Sequence, residues 1–139
     1  MRYNRSKAYY TNQHSCFLLQ YHLVMVTKYR HPVLTDEVSA ALLSYTENYF
    51  KEREITLTAL NTDIDHVHIL FECSPCIQLD KFVNAFKSAS SRHIRKTFPE
   101  FLAQYYWKPY FWSMSYFICT VSEKTNDIVK TYIENQGGK

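Results

Sequence analysis

The distribution of apolar and polar residues along the chain predicts a sheet of four strands with three helices. Strands are indicated where β-branched and apolar residues run together or alternate, and helices where apolar residues recur three or four positions apart. We predict strands at 17–27, 55–60, 65–72 and about 115–121, and helices at about 35–54, from 79 to just before Pro99, and from about 125 to 136. The order β-α-β-β-α-β-α predicts a ferredoxin-like α+β sandwich, an antiparallel sheet with helices on one face plus a C-terminal helix.

The length of the chain predicts one domain. Its 139 residues, 46% of them hydrophobic, suffice for one core and are too few for two ordinary domains, so we expect a single domain over 1–139. No stretch approaches the roughly 18 to 20 apolar residues of a membrane-spanning helix. The polar segment 1–13 also lacks the apolar centre of a secretory signal. We therefore expect a soluble, cytoplasmic protein with no membrane partner.

The charge is informative through its distribution. The net charge is only +3, but Lys and Arg gather at 2–7, at 28–30 and at 81–96. Such clusters can follow a phosphate backbone. On charge alone, a solvated helix face with a loose N-terminus explains them equally well.

The four cysteines give little support for a metal or redox site. Cys73 and Cys76 form a lone C-x-x-C, whereas Cys16 and Cys119 lie in apolar surroundings. A structural zinc site needs four ligands, and no second Cys or His pair with suitable spacing follows. Buried or incidental thiols are the favoured interpretation.

Two short motifs carry candidate chemistry. His66 and His68 are two positions apart on a predicted strand, so both imidazoles point to one face and could share a metal. Tyr132 and Gln136 are four positions apart on the last helix, so the phenol and the amide lie one turn apart on a single face. Taken separately, each motif has an ordinary alternative. The histidines could be surface or core residues, and Tyr132 lies on an apolar helix stripe.

Together the motifs resemble the single-tyrosine HUH transposases of bacterial and archaeal insertion sequences, which include relatives of the REP-associated tyrosine transposases. The resemblance rests on the following segments: 21–24 (YHLV), 27–30 (TKYR), 66–68 (HVH), 115–117 (SYF), 120–121 (TV) and 132–136 (YIENQ). It covers nearly the whole chain, and the combination is specific although each segment alone is not.

The resemblance implies an enzyme, a metal-dependent DNA transposase. Such an enzyme cleaves and rejoins single-stranded DNA at hairpin-bearing ends of an insertion sequence through a covalent 5′-phosphotyrosine intermediate. By the resemblance, Tyr132 is the nucleophile, and His66, His68 and Gln136 are ligands of Mg²⁺ or Mn²⁺. The resemblance also implies a homodimer whose C-terminal helix can complete the partner's site, and association with the nucleoid when bound to DNA. We expect no nucleotide cofactor, because one phosphodiester is exchanged for another and the sequence has no Gly-rich phosphate loop.

Basic residues are the candidate DNA contacts. We predict that Arg92, Arg95 and Lys96 contact the hairpin stem, and that Lys28 and Arg30 lie near the cleaved strand.

One position departs from the family pattern. Family members commonly have a glycine after the Thr-Val that precedes the last helix, whereas here Ser122 follows Thr120-Val121. A loop without glycine is stiffer, which bears on how the tyrosine helix moves and on the activity of this copy. Whether that helix acts in its own subunit or in the partner's stays open.

Three alternatives remain at this point. A replication-initiating or relaxase-type nickase would share the histidine pair but usually carries a second nearby tyrosine. A nucleic-acid-binding module on the same fold would bind without metal and form no covalent product. Such modules commonly have a Lys/Arg-Gly-aromatic pattern on a central strand, and no predicted strand contains glycine. An inactive copy of a transposase is the third.

Overall fold

The main elements follow the predicted order. The computed structural model describes residues 4–5, 9–122 and 125–135. Its strands are β1 (Asn4–Arg5), β2 (Tyr10–Thr11), β3 (Cys16–Phe17), β4 (Leu19–Val26), β5 (Thr56–Thr62), β6 (His66–Cys73) and β7 (Phe117–Thr120). Its helices are α1 (Asp36–Glu52), α2 (Leu79–Thr97), α3 (Pro99–Ala103) and α4 (Thr125–Asn135), and a 3-10 turn spans Lys28–Arg30. None of the helices in these ranges is both long and apolar enough to cross a membrane.

The central sheet confirms the predicted fold class. Its four strands lie in the order β5-β6-β4-β7, and every neighbouring pair is antiparallel. Helix α1 connects β4 to β5, and helix α2, followed by α3, connects β6 to β7. In neither case are the two connected strands neighbours in the sheet, as in a ferredoxin-like sandwich. In the middle of the sheet, Val24 of β4 pairs with His68 of β6 on one side and with Phe117 of β7 on the other.

One face of the sheet forms the main hydrophobic core against α1 and α2. Alternate residues of the central strands, such as Leu23, Ile69 and Phe71, are fully buried there. Phe50 of α1 packs edge-on against Phe71 and Phe86, with ring centroids 5.6 and 5.3 Å apart. This aromatic packing fixes α1 and α2 on that face, so the histidines of β6 are left on the opposite one.

The opposite face is covered by α4. Val129 of α4 packs on Val24 and Val26 of β4, and all three are buried. The cluster is small because α4 contacts the sheet mainly at β4 and at the edge strand β7, and Phe117 and Tyr132 pack against it.

The N-terminal segment differs from the prediction. We predicted a first strand beginning at Phe17 and none before it, but Phe17 belongs to β3, and β1, β2 and β3 form a separate antiparallel sheet. Strands of two residues show no alternation in the sequence, so the pattern could not reveal them. Tyr10 holds this sheet in place, since its hydroxyl donates to the buried Glu72 carboxylate at 2.7 Å.

One predicted strand boundary is wrong, and one short helix was not predicted. The polar residues 61–63 suggested the end of a strand, yet β5 continues to Thr62 because Asn61 pairs with His68 on the exposed face of the hairpin. The second helix ends before Pro99 as expected, but Pro99 itself begins α3. A proline fits the first position of a helix because the backbone N–H that it lacks would have no partner there.

The C-x-x-C motif does not form a paired site. All four cysteines are free thiols, and Cys73 is buried at the end of β6 whereas Cys76 is exposed. Burial raises the pKa of the Cys73 thiol to about 11. The thiolate is the reactive form, so Cys73 is unreactive near neutral pH.

We predict that iodoacetamide at pH 8 alkylates the exposed Cys16 and Cys76 in the native protein and leaves Cys73 unmodified. At that pH only about 0.1% of a thiol with a pKa near 11 is ionised, and burial also blocks access. Peptide mass spectrometry before and after unfolding in guanidinium measures this. Equal rates at Cys73 and Cys76 in the native protein would contradict it.

Candidate active site

His66 and His68 stand side by side at the start of β6. Their ring centroids are 4.9 Å apart and the rings are nearly perpendicular, at 76°. Val67, which lies between them, points into the main core, so strand alternation places both imidazoles on the face that α4 covers. His66 is buried and His68 is half-buried. Both rings can therefore present nitrogen atoms to one ligand on this face.

The Nδ1 atom of each histidine has a side-chain partner. Nδ1 of His66 lies 2.8 Å from Oδ1 of Asp65, and Nδ1 of His68 lies 3.1 Å from Nε2 of His22. When each Nδ1–H donates to its partner, the lone pair of Nε2 is free on both rings. Metal-ligating histidines are held in this way in proteins, so the donor chemistry of the pair fits a divalent cation.

The electrostatics favour the neutral form of His68 and of its partner His22, and a neutral imidazole is the form that binds metal. Burial, with the neighbouring rings of His66 and His22, lowers the pKa of His68 to about 4. Burial also lowers the pKa of His22. Burial alone would raise the pKa of Asp65, but hydrogen bonds from Arg30 and His66 outweigh it, so that pKa lies below its usual value. At neutral pH, His68 and His22 are therefore neutral, and the Asp65 carboxylate beside His66 is charged.

Arg30 connects this group to α4. Its Nε donates to Oδ2 of Asp65 at 3.0 Å, and its Nη1 donates to the backbone carbonyl of Ile133 in the last turn of α4. The Arg30 and Asp65 side chains are 23% and 17% exposed, so water screens the pair only partly.

An open cleft of about 630 Å³ separates α4 from the β5-β6 side of the sheet. His22, His68 and Asn61 line it from the sheet, and Ile133 and Glu134 line it from α4. The cleft leaves the histidine side of the sheet open to a chain that enters beside α4.

Tyr132 lies on the same side of the sheet, but over β7. Its ring packs on Phe117 with centroids 5.0 Å apart, and its hydroxyl is 3.5 Å from Oγ of Ser115, at the outer limit of a hydrogen bond. Phe117 and His68 flank Val24 on adjacent strands, and two strand spacings separate them by roughly 10 Å. The chain thus brings Tyr132 to the histidine face without placing its ring over the pair.

The other predicted site residues are more dispersed. The Lys28 ammonium lies 5.1 Å from the ring centroid of Tyr29 and 4.9 Å from that of Tyr110, at the end of β4. On α2, Arg92 and Lys96 are exposed, and Nε of Arg95 donates to Oγ of Ser91 at 3.1 Å. Gln136, the predicted third ligand, lies outside the described residues. No cluster of three or more His, Cys, Asp or Glu suited to a metal occurs in the part of the chain described.

Two side chains of the site were not identified from the motifs. Asp65 directly precedes His66, and His22 falls on the same sheet face as His68. A carboxylate next to an H-x-H pair was the available signal for Asp65. The partnership of His22 with His68 depends on the pairing of β4 with β6, which sequence spacing does not give.

Comparison with known proteins adds independent information. The chain is 35% identical to the ISDra2 transposase TnpA of Deinococcus radiodurans over 123 residues, which cover 88% of this chain and 87% of that protein. It is 26% identical to the transposase for insertion sequence element IS200 of Salmonella typhimurium, over 88% of this chain and 80% of that protein. The crystal structure of a candidate transposase from Deinococcus radiodurans R1 superposes with a TM-score of 0.86 at 37% identity, covering 93% of this chain and 98% of that one.

The family model described as "Transposase IS200 like" matches residues 15–136, a range that holds the histidine pair, its partners Asp65 and His22, and Tyr132. The chain therefore belongs to the IS200-like transposase family.

Proposed function

We propose that this chain cleaves and rejoins single-stranded DNA at hairpin-bearing ends of an insertion sequence, through a covalent 5′-phosphotyrosine intermediate and with a divalent metal. The observation that carries the proposal is the arrangement of His66 and His68. They stand together on the face of the sheet that α4 covers, and each Nδ1 lies against a side chain that can hold it so that Nε2 stays free. A binding module would gain nothing from two imidazoles held in this way.

The proposed ligands of the metal are His66, His68 and Gln136. Two imidazoles and an amide oxygen favour Mn²⁺, and Mg²⁺ is also suitable when water and phosphate oxygens complete its shell. When bound, the cation polarises the scissile phosphate and stabilises the charge that develops on its oxygens.

Tyr132 is the proposed nucleophile. Its phenolic oxygen forms a bond to phosphorus while the bond to the 3′ oxygen breaks, which yields a 5′-phosphotyrosine and a 3′-hydroxyl. The phenol loses one proton and the departing 3′ oxygen gains one. One phosphodiester replaces another, so the step is nearly balanced in free energy and needs no nucleotide cofactor.

We predict that Tyr132→Phe forms no covalent adduct with an end-labelled hairpin oligonucleotide, because the attacking oxygen is gone. His68→Ala should lower the rate of adduct formation at least about 100-fold. A metal contribution of several kcal/mol corresponds to a factor of ten for every 1.4 kcal/mol or so. Denaturing gels in Mn²⁺ or Mg²⁺, with chelator and after metal is restored, measure the adduct.

Two matched variants control for general damage. Tyr105→Phe removes a hydroxyl from another half-buried tyrosine, and His14→Ala removes an imidazole exposed in the N-terminal segment. Both should form adduct at the wild-type rate. If the wild type binds the hairpin tightly but forms no adduct with any metal, this proposal is wrong. The chain would then be a binding module or an inactive copy of a transposase.

The basic end of α2 is the proposed contact for the hairpin stem. Trp112 pairs with Thr27 beyond the end of β4, and its indole donates to Ser90 of α2 at 3.0 Å. The following turns of α2, with Arg92 and Lys96, therefore lie at the end of the sheet where β6 begins with His66. Arg95 belongs to the same proposed surface, and Lys28 and Arg30 are the proposed contacts near the cleaved strand.

The double variant Arg92→Gln/Lys96→Gln should bind the hairpin more weakly and lower the slope of log K against log salt by about 1.8, since each phosphate that a side chain neutralises adds about 0.9 to the slope. Fluorescence anisotropy at several salt concentrations gives the slope. Lys51→Gln/Lys81→Gln also removes two exposed charges, at the opposite end of the sheet, and should leave the slope unchanged. Equal slopes for both double variants would show that the basic end of α2 does not contact the hairpin.

We also propose that the protein acts as a homodimer in which α4 can complete the partner's site. The position of Tyr132 over β7, away from the histidine pair, supports exchange of helices between subunits. The loop before α4 has internal bonds in place of a glycine, since the Ser122 amide donates to Oγ1 of Thr125 at 2.6 Å. Exchange of α4 between subunits would either break this hydrogen bond or move it together with the helix.

A mixture of Tyr132→Phe and His68→Ala chains tests the exchange. Each variant alone should be inactive, but a mixed dimer has one site with both intact histidines and a partner's Tyr132. Random mixing should restore about a quarter of wild-type adduct, from half the dimers with one of two sites active. A mixture that stays inactive, while unmixed wild type forms adduct, would place α4 in its own subunit.

A further inference from the structure

The turn after β4 holds two consecutive non-glycine residues in the left-handed region. Tyr29 has φ 58° and Arg30 has φ 52°. For residues with a Cβ this conformation costs free energy, and it persists only where the surroundings impose it. Strain of this kind concentrates where a side chain must be held in one place for function.

The surroundings do impose the conformation. Fully buried Thr27 precedes the turn, and its hydroxyl donates to the backbone carbonyl of His31 at 2.8 Å. The amide of Thr27 donates to the carbonyl of Asp65 at 2.9 Å, which joins the turn to the residue before His66. Tyr106 fixes the middle of the turn, since its hydroxyl donates to the carbonyl of Lys28 at 2.7 Å.

The strained turn delivers the Arg30 guanidinium to two acceptors at once. One is Asp65, the carboxylate that accepts from Nδ1 of His66. The other is the carbonyl of Ile133, one of the last four residues of α4 as described (Thr125–Asn135), so no amide within that range can donate the usual helical hydrogen bond to it. A cation at the C-terminus of a helix also interacts favourably with the helix dipole. The planar fork of Arg suits this bridge, whereas a Lys ammonium is a point charge without that geometry.

We propose that Arg30 is a positioning residue that couples the docking of α4 to the orientation of His66. The coupling rests on the proposed function, because it gives His66 the task of holding a metal. When α4 is docked, Arg30 connects Ile133 through Asp65 to Nδ1 of His66. When α4 leaves, Arg30 loses one of its two acceptors and Asp65 is held less firmly. The state of the tyrosine helix is thereby transmitted to a metal ligand on another element.

Lys28 provides a matched control within the same turn. Arg30→Gln and Lys28→Gln each remove one positive charge from the 3-10 turn, and the Lys28 side chain lies over the rings of Tyr29 and Tyr110, away from Asp65. Both substitutions should weaken DNA binding to a similar extent if both residues lie near the cleaved strand. Only the loss of Arg30 should weaken the docking of α4 and disturb the orientation of His66.

Two readouts separate the variants without relying on turnover. Hydrogen exchange of the α4 amides, measured without metal or DNA and referenced to α2 amides, should be about tenfold faster in Arg30→Gln and Arg30→Lys, because a hydrogen bond from a charged group is removed. Mn²⁺ affinity, measured by electron paramagnetic resonance of the free ion, should fall about tenfold in Arg30→Gln. For Asp65→Asn it should fall 10-fold to 100-fold, roughly the range for groups that orient a metal ligand. Lys28→Gln should match the wild type in both readouts.

The outcomes distinguish this coupling from the proposed function. If Arg30→Gln and Lys28→Gln give the same α4 exchange and the same Mn²⁺ affinity in a protein whose wild type forms the adduct, the coupling is overturned and the charge of Arg30 alone matters. If the wild type forms no adduct, the proposed function fails, while a faster α4 exchange in both Arg30 variants still supports the docking half of the bridge. The α2 amides report any general loss of stability.

Discussion

The pairing of β4 with β6 is the constraint on which the site depends. In this pairing His66 lies opposite Val26 and His68 lies opposite Val24. Side chains alternate along a strand, so a slip of one residue would turn both histidines into the main core and bring Val67, Ile69 and Phe71 to the opposite face. Burial of the apolar set on the core side opposes such a slip. The hydrophobic core therefore fixes the orientation of the polar site, although none of its residues takes part in the chemistry.

Much of the fold was predictable because the main elements are long enough to show a period. The 17 residues of α1 and the 19 of α2 carry regular apolar stripes, and the alternation of β6 identified the face that presents His66 and His68. The family was also recognisable, because several weak motifs occur in the right order. The first three strands escaped prediction because each has two residues and is held by pairing and by Tyr10, not by a local pattern.

The contacts that support the site could not be predicted from the sequence for a different reason. His22 is 46 positions from His68, and Arg30 is 103 positions from Ile133, so local spacing carries no information about either contact. These contacts arise from the register of two strands and from the angle at which α4 crosses the sheet. The sequence suggested which residues could bind a metal, and the fold supplied the side chains that hold them. Similarly, the contact between the rings of Tyr132 and Phe117 follows from the packing of α4 on the sheet.

The alternate residues of strand β6 form two sets of side chains on opposite faces of the sheet. Val67, Ile69 and Phe71 are buried in the main core and contribute to stability, whereas His66 and His68 point to the opposite face and are the proposed metal ligands. Because the two sets point to opposite faces, substitution of a residue in one set leaves the packing of the other largely intact. A scaffold organised in this way can acquire, lose or change a ligand set over evolution without refolding. The same separation makes this face of β6 a suitable place to install a different ligand set by design.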